Sequence, residues 1–321
     1  MKENESGQSK LGDAFRGTVV EAAQSGRTPG AGHEDPTRGD RLWVLLNQEG
    51  EVRVGWRLML LVVSFLVAAY LLRYVPIRLQ TRMLSGRGLP HSAALARARH
   101  AILDDPVWSS VVGIAQGLLW YPLVCFLITV TEGRPCTLRD LGLSSGWAGF
   151  LLALLGAALA TAMFLGYIWV GTVVNRTTTP WSWTSPRTSS VALTTLNFVT
   201  NGFGEETAFR AYMQERLVQR HGLWDGIALT SVCFVLLHAL VSKISGLALL
   251  ACVMLAAMYG MLFFWTRSVY LVGTMHAIFN LAPRLLNQWP TDAGLLLVHS
   301  LGLMTLIVAF RWSSRGKGKL P

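Results

Sequence analysis

Charge is scarce in this chain of 321 residues: 14% are Asp, Glu, Lys or Arg, where a soluble domain carries about 25%. Acid is scarcest. Nine of the 18 acidic residues fall within positions 1–51, and only seven lie from Pro106 onward. That scarcity argues against a conventional soluble enzyme. Cysteine is also rare: the four residues Cys125, Cys136, Cys233 and Cys252 form no C-x-x-C pair, and three sit inside apolar runs. Neither a disulfide framework nor a thiolate metal site is indicated. No compact apolar stretch followed by a cleavage site opens the chain, so no removable signal peptide is expected. No internal repeat is evident, which counts against a transporter built from inverted halves.

What the chain has is apolar length. Hydrophobic residues make up 52%, Trp occurs 12 times, and mean hydropathy is +0.41. The net charge of +10 would suit a nucleic-acid binder if it formed a basic stripe on a compact fold. Here Lys and Arg instead punctuate apolar runs, which marks membrane topology. The expectation is an all-α, multi-pass integral membrane protein whose environment is the bilayer, with no nucleic-acid partner.

A bilayer core takes about 20 apolar residues as helix. About eight runs meet that need, near 56–75, 106–130, 141–175, 189–206, 223–241, 244–265, 268–285 and 293–310. Residues 1–54 read as a disordered and interfacial cytoplasmic tail, with Trp43 at the headgroups. Residues 55–133 hold two spans and a basic connection, 134–290 a catalytic helix bundle, and 291–321 a last span with a basic tail. An even number of spans puts both termini on one side, and the distribution of Lys and Arg makes it the cytoplasmic side, expected of a bacterial cytoplasmic membrane. Arg73, Arg78, Arg82, Arg87, Arg97 and Arg99 conflict with that orientation unless the connection 76–105 lies at the interface as a helix. Trp181 and Trp183 read as an aromatic belt.

Ionisable groups at membrane depth are costly and so mark functional sites. Three clusters qualify: Glu205-Glu206-Thr207-Ala208-Phe209-Arg210, Phe234 to His238, and His276 to Asn280. Glu206 and Arg210 are four apart, the spacing of an ion pair on one helix, as are His276 and Asn280 on one face. Asn197, Asn201 and Glu205 form a polar stripe within roughly 80°. Glu205 stands about 100° from Glu206. The two acids therefore have different work. Glu206 pairs with Arg210 as a helix-end support, and Glu205 is the candidate general base, with Asn201 beside it in the stripe. His238 is suited to help Glu205 polarise a water, and His276 and Asn280 offer donors to a developing oxyanion. The set fits peptide-bond hydrolysis. Glu205, His238 and His276 are also a recognised type of zinc ligand set, although H-E-x-x-H is absent. No cofactor is favoured, with zinc the alternative. His299 has no partner at helical spacing and reads as structural.

E-E-x-x-x-R, then F-x-x-x-H, then H-x-x-x-N, in order along a polytopic chain, resembles the CAAX prenyl protease and bacteriocin-processing (CPBP, or Abi) family of intramembrane proteases. Arg139-Asp140-Leu141-Gly142-Leu143, ahead of the third span, resembles a short segment of that family. The resemblance covers about residues 134–290. It implies that Glu205 activates water with His238, while His276 and Asn280 hold the oxyanion. It implies as substrate a membrane-associated peptide or protein. One departure is Ala211, where many members carry Gly after the motif Arg. A non-catalytic scaffold or immunity-type binding protein, or a proton-coupled transporter using Glu205 and the histidines as a relay, are the competing readings.

Overall fold

The computed structural model describes residues 54–143, 146–175, 188–241, 244–286 and 291–315, all within the second of two compact units, Leu45–Pro321. The expected tail, Trp43, Trp181 and Trp183 lie outside the described residues. All regular structure among those described is helical: α1 (Val54–Gly86), α2 (His91–Arg99), α3 (Pro106–Glu132), α4 (Gly146–Asn175), α5 (Thr188–Glu206), α6 (Glu215–His221), α7 (Leu223–Val241), α8 (Gly246–Thr266), α9 (Val269–Leu285) and α10 (Asp292–Arg315), with π-helical segments at His100–Asp104 and Thr207–Gln214.

Local chemistry sets several of these ends. Asp105 accepts from the Trp108 amide at 2.7 Å and Pro106 occupies the first turn of α3, where a missing N–H costs nothing. Gly133 ends the same helix at φ 65°. Ser245 caps α8 by accepting from Ala248 N at 3.1 Å. The connection from α8 to α9 is only Arg267 and Ser268, and Ser268 accepts from Tyr270 N at 3.3 Å.

Among the described residues, six helices are long and apolar enough to cross a bilayer: Val54–Gly86, Pro106–Glu132, Gly146–Val173, Leu223–Leu240, Gly246–Thr266 and Asp292–Trp312. The expected eight are not confirmed. The fourth and seventh expected spans form helices α5 and α9, which are not among those six; α9 has only 17 residues. The basic connection 76–105 is helical rather than looped. α1 continues through Pro76 for 33 residues, about 50 Å at 1.5 Å per residue, so Arg78 and Arg82 extend beyond a core of about 30 Å.

α5 packs on α3 and α9, and glycine permits the approach. A Cβ on Gly117 would lie 2.5 Å from the Thr200 carbonyl carbon, and one on Gly204 would lie 2.2 Å from the Gly117 oxygen. Small residues at such crossings are how membrane helices bring their backbones together. Trp120, Phe209 and Tyr212 fill the core beside this seam, with Phe65 stacked on Trp120 at 3.8 Å.

Candidate active site

Three helices meet at Glu205. It lies in the last turn of α5, His238 comes from α7, and His276 comes from α9. Glu205 Oε2 stands 3.5 Å from His238 Nε2 and 3.7 Å from His276 Nε2. This oxygen is buried and has no hydrogen-bond partner. Each imidazole is oriented by its other nitrogen: His238 Nδ1 lies 2.9 Å from the Phe234 carbonyl oxygen one turn earlier, and His276 Nδ1 lies 2.9 Å from Glu206 Oε1. Nδ1–H is the donor in both, since a carbonyl and a carboxylate only accept. Asn280 follows His276 by one turn of α9 and is half-buried.

Glu206 is fully buried and uses both oxygens, Oε1 toward His276 and Oε2 accepting from Arg210 Nε at 2.9 Å. The pairing with Arg210 is as expected, but its setting is not. The helix does not end there; it continues as the π-helical segment Thr207–Gln214 and then α6, and all eight π residues are buried. Isolated π turns concentrate at functional sites. This one is tied to its surroundings at both ends, by Thr207 Oγ1 donating to the Leu141 oxygen at 3.3 Å and Gln214 Nε2 donating to the Gly260 oxygen at 2.8 Å. Arg210 is fully buried as well, with its guanidinium carbon 5.5 Å from the Phe234 ring centre.

Asn201 serves packing. Its amide nitrogen donates to the Gly113 oxygen of α3 at 2.9 Å and to Asn197 Oδ1 at 2.6 Å. The polar stripe thus divides: Asn197 and Asn201 close the α3–α5 seam, and Glu205 turns to the histidines.

Arg139–Leu143 supports the site from outside. Val269 N, the first amide of α9, donates to the Gly142 oxygen at 3.0 Å, and Tyr270 Oη donates to the Leu143 oxygen at 3.4 Å. Gly142 adopts φ +71°, and a Cβ there would lie 2.6 Å from Val269 Cγ2. Asp140 accepts two bonds from Arg134 at 2.7 and 2.9 Å and two from Thr137. The Arg134 guanidinium, helped by Thr137, holds the Asp140 carboxyl well below the usual carboxylate range. Burial pushes the Cys136 thiol in the same loop up to about 12, which leaves it no thiolate character.

Two features escaped sequence reasoning. The π segment contains neither Pro nor Gly. The His276–Glu206 bond joins residues 70 apart in the chain, and a second acid in the motif was its only signal.

Residues 187–282 match the family model of type II CAAX prenyl endopeptidase Rce1-like proteins. This part of the chain is similar to that family. The match takes in all three polar clusters and bears out the resemblance they carry. It supports a CAAX-type intramembrane protease, and the six apolar helices fit a multi-pass integral membrane protein. No curated protein matches the chain.

Proposed function

We propose that the Rce1-like segment is a glutamate-dependent intramembrane endopeptidase that hydrolyses a peptide bond of a membrane-delivered substrate. The unpartnered Glu205 Oε2 carries this reading. In its neutral form His238 donates from Nδ1 and so turns an Nε2 lone pair toward that oxygen. Two acceptors facing one another call for a shared donor, and water is the donor that general-base hydrolysis needs.

In this mechanism Glu205 takes a proton from water while His238 holds it, and the oxygen adds to the scissile carbonyl. His276, protonated on both nitrogens, donates from Nε2 to the oxyanion and from Nδ1 to Glu206, and Asn280 supplies a second donor. Glu205 then returns its proton to the departing amine, and the C–N bond breaks. Glu206 and Arg210 act through His276 as positioning residues. Fixed donors at an oxyanion are worth about 100- to 1,000-fold in rate each.

The test compares the proteomes of membranes carrying the wild type or Glu205→Gln. At least one protein should be cleaved only in the wild type, with both chains inserted equally. Identical proteomes would remove Glu205 from any hydrolytic role. Chelation separates the zinc alternative at Glu205, His238 and His276: cleavage unaffected by a chelator supports the water-only mechanism, and loss that added zinc reverses replaces it.

A further inference from the structure

Residues 73–105 carry six arginines, Arg73, Arg78, Arg82, Arg87, Arg97 and Arg99, against two acids, Asp104 and Asp105. All six are exposed, and among the described residues no ion pair joins any of them to a carboxylate. Their level follows from the opposite end of the bundle. There Arg57 of α1 lies 3.5 Å from Glu132 at the end of α3, and Arg134 and Arg216 share the same carboxylate. A cluster of that many charges belongs at the edge of the hydrocarbon and not within it. Arg78 and Arg82 come about 32 and 38 Å further along α1, at 1.5 Å per residue. A bilayer measures about 30 Å across its hydrocarbon and about 40–45 Å with its headgroups. Both arginines therefore reach the headgroups of the far leaflet.

The surface at that level is amphipathic. On α1, Arg78 and Arg82 form one stripe, and Leu79 and Met83 form another about 100° round the helix. Leu79 is 55% exposed and Met83 61%. An apolar stripe beside a cationic one, past the end of a span, is the pattern of a helix face held at a membrane interface. α2 packs back on α1 through Ala98, which shares a small core with Ile77 and Ile102. That packing returns Arg97 and Arg99 toward the level of Arg78. Next to the apolar stripe lies a groove of about 450 Å³, lined by Leu79, Met83, Ile102 and Trp108, with Gln80 and Asp105 among its polar members. Asp105 accepts from the Trp108 amide as the cap of α3, and the exposed Trp108 ring is of the kind that sits at headgroup level.

We propose that α2 and the far end of α1 are a docking surface for anionic phospholipid. Arg78, Arg82, Arg97 and Arg99 take the phosphates, and the Leu79–Met83 stripe with its groove takes the acyl chains. Charge complementarity selects this occupant. Unpaired cations beside exposed aliphatic side chains suit a molecule that is anionic at one end and aliphatic along the rest. A free phosphate leaves Leu79 and Met83 uncovered, and a zwitterionic lipid brings a cation of its own to the arginines. The planar fork of arginine binds phosphate through two donors at once. Arg73, inside the hydrocarbon by length, reaches the same layer by snorkelling. The inference is independent of the chemistry at Glu205.

The probes are phosphatidylglycerol and phosphatidylcholine with identical acyl chains, added to the delipidated full chain in maltoside micelles and counted by native mass spectrometry. The wild type should retain phosphatidylglycerol about 25-fold better, for two arginines on one phosphate at about fivefold each. Replacing Arg78, Arg82, Arg97 and Arg99 together by Gln should erase that preference, and replacing them by Lys should keep most of it. Arg139→Gln with Arg220→Gln, at the opposite end of the bundle, should leave it nearly unchanged. Equal retention of the two lipids by the wild type overturns the proposal, as does a preference that survives the four Gln substitutions. Displacement of the lipid by soluble glycerol phosphate overturns it too, because the surface would then be a site for free phosphate. Should the Gln chain fail to fold, salt decides on the wild type: the preference should fall as ionic strength rises, and a preference indifferent to salt would mean that the arginines do not carry it.

Discussion

His276 and His299 are both buried imidazoles in the same bundle, and their surroundings differ in kind. His299 Nδ1 donates to the Ala251 oxygen at 2.8 Å, and Nε2 pairs with Tyr167 Oη at 2.5 Å. Both partners are neutral and both ring nitrogens are satisfied. His276 has a carboxylate at each nitrogen, Glu206 at 2.9 Å from Nδ1 and Glu205 at 3.7 Å from Nε2. Burial of a titratable group at membrane depth is thus a cost that both regions bear. What separates them is an atom left over. The His299 cluster is closed, and its hydrogen bonds hold α4, α8 and α10 together. The His276 cluster leaves Glu205 Oε2 unspent.

Removing the charge that distinguishes the two should have the largest effect. Glu206→Gln leaves His276 a carboxylate at one nitrogen only, that of Glu205, and strands the Arg210 cation in a fully buried site. A broken buried pair costs about 3–5 kcal/mol, read as a fall in thermal midpoint in detergent. Adding Arg210→Met to the same chain should recover most of that stability while cleavage stays impaired. If the double variant regains cleavage, Glu206 serves only to neutralise Arg210 and does not position His276.

The next contrast is direct. His276→Ala should lower kcat/KM on any confirmed substrate by about 100- to 1,000-fold, the worth of one oxyanion donor. His299→Ala should leave turnover within about threefold and lower stability by about 1–3 kcal/mol, because Tyr167 Oη loses its partner in the core. A large loss of turnover in His299→Ala at unchanged stability would undo the distinction.

The sequence made the three clusters legible because helical periodicity pairs residues four apart: Glu206 with Arg210 and His276 with Asn280 are visible without coordinates. It was less informative wherever a helix packs against others. Polar residues of α5 and α9 face neighbouring helices, His276 of α9 meeting Glu206 of α5. The same packing redirected Asn201, whose amide found the Gly113 carbonyl of α3. The π segment was invisible because its anchors, the Leu141 and Gly260 carbonyls, belong to distant parts of the chain. The partners of His299 on α4 and α8 lie beyond any local spacing.

A smaller effect separates the enclosed seam from the lipid-facing start of α1. Gly204→Ala places a methyl group 2.2 Å from the Gly117 oxygen and 2.9 Å from Trp120 Cδ1. Backbone there cannot yield without spreading α3 from α5, a cost of about 1–3 kcal/mol typical of overpacking. Gly55→Ala meets nothing within 4 Å, and Ala is the better helix former by up to about 1 kcal/mol. The two variants should therefore shift the thermal midpoint in opposite directions. A destabilised Gly55→Ala would show that the start of α1 is packed more tightly than this contrast allows.

The smallest effect sets the buried Glu206–Arg210 pair against the partly exposed Asp140–Arg134 pair of the supporting loop. Four hydrogen bonds from Arg134 and Thr137 favour the ionised Asp140 carboxyl, so its folded pKa lies below the unfolded value of about 3.9. The unfolded chain then binds the proton more readily than the folded one. The pair's contribution is present in full above that unfolded value and is lost as pH falls toward the depressed folded one. Partly exposed pairs of this kind are worth about 0.5–1 kcal/mol. The thermal midpoint of Asp140→Asn should therefore sit slightly below wild type at pH 7, with the gap narrowing below about pH 4. The same loop presents the Gly142 carbonyl to Val269 at the start of α9. A loosened loop should accordingly cost a small part of turnover at pH 7, well short of the loss from His276→Ala. A midpoint gap between the two chains that stays constant from pH 7 down to pH 3 would mean that Asp140 stabilises the loop by its shape alone and not by its charge.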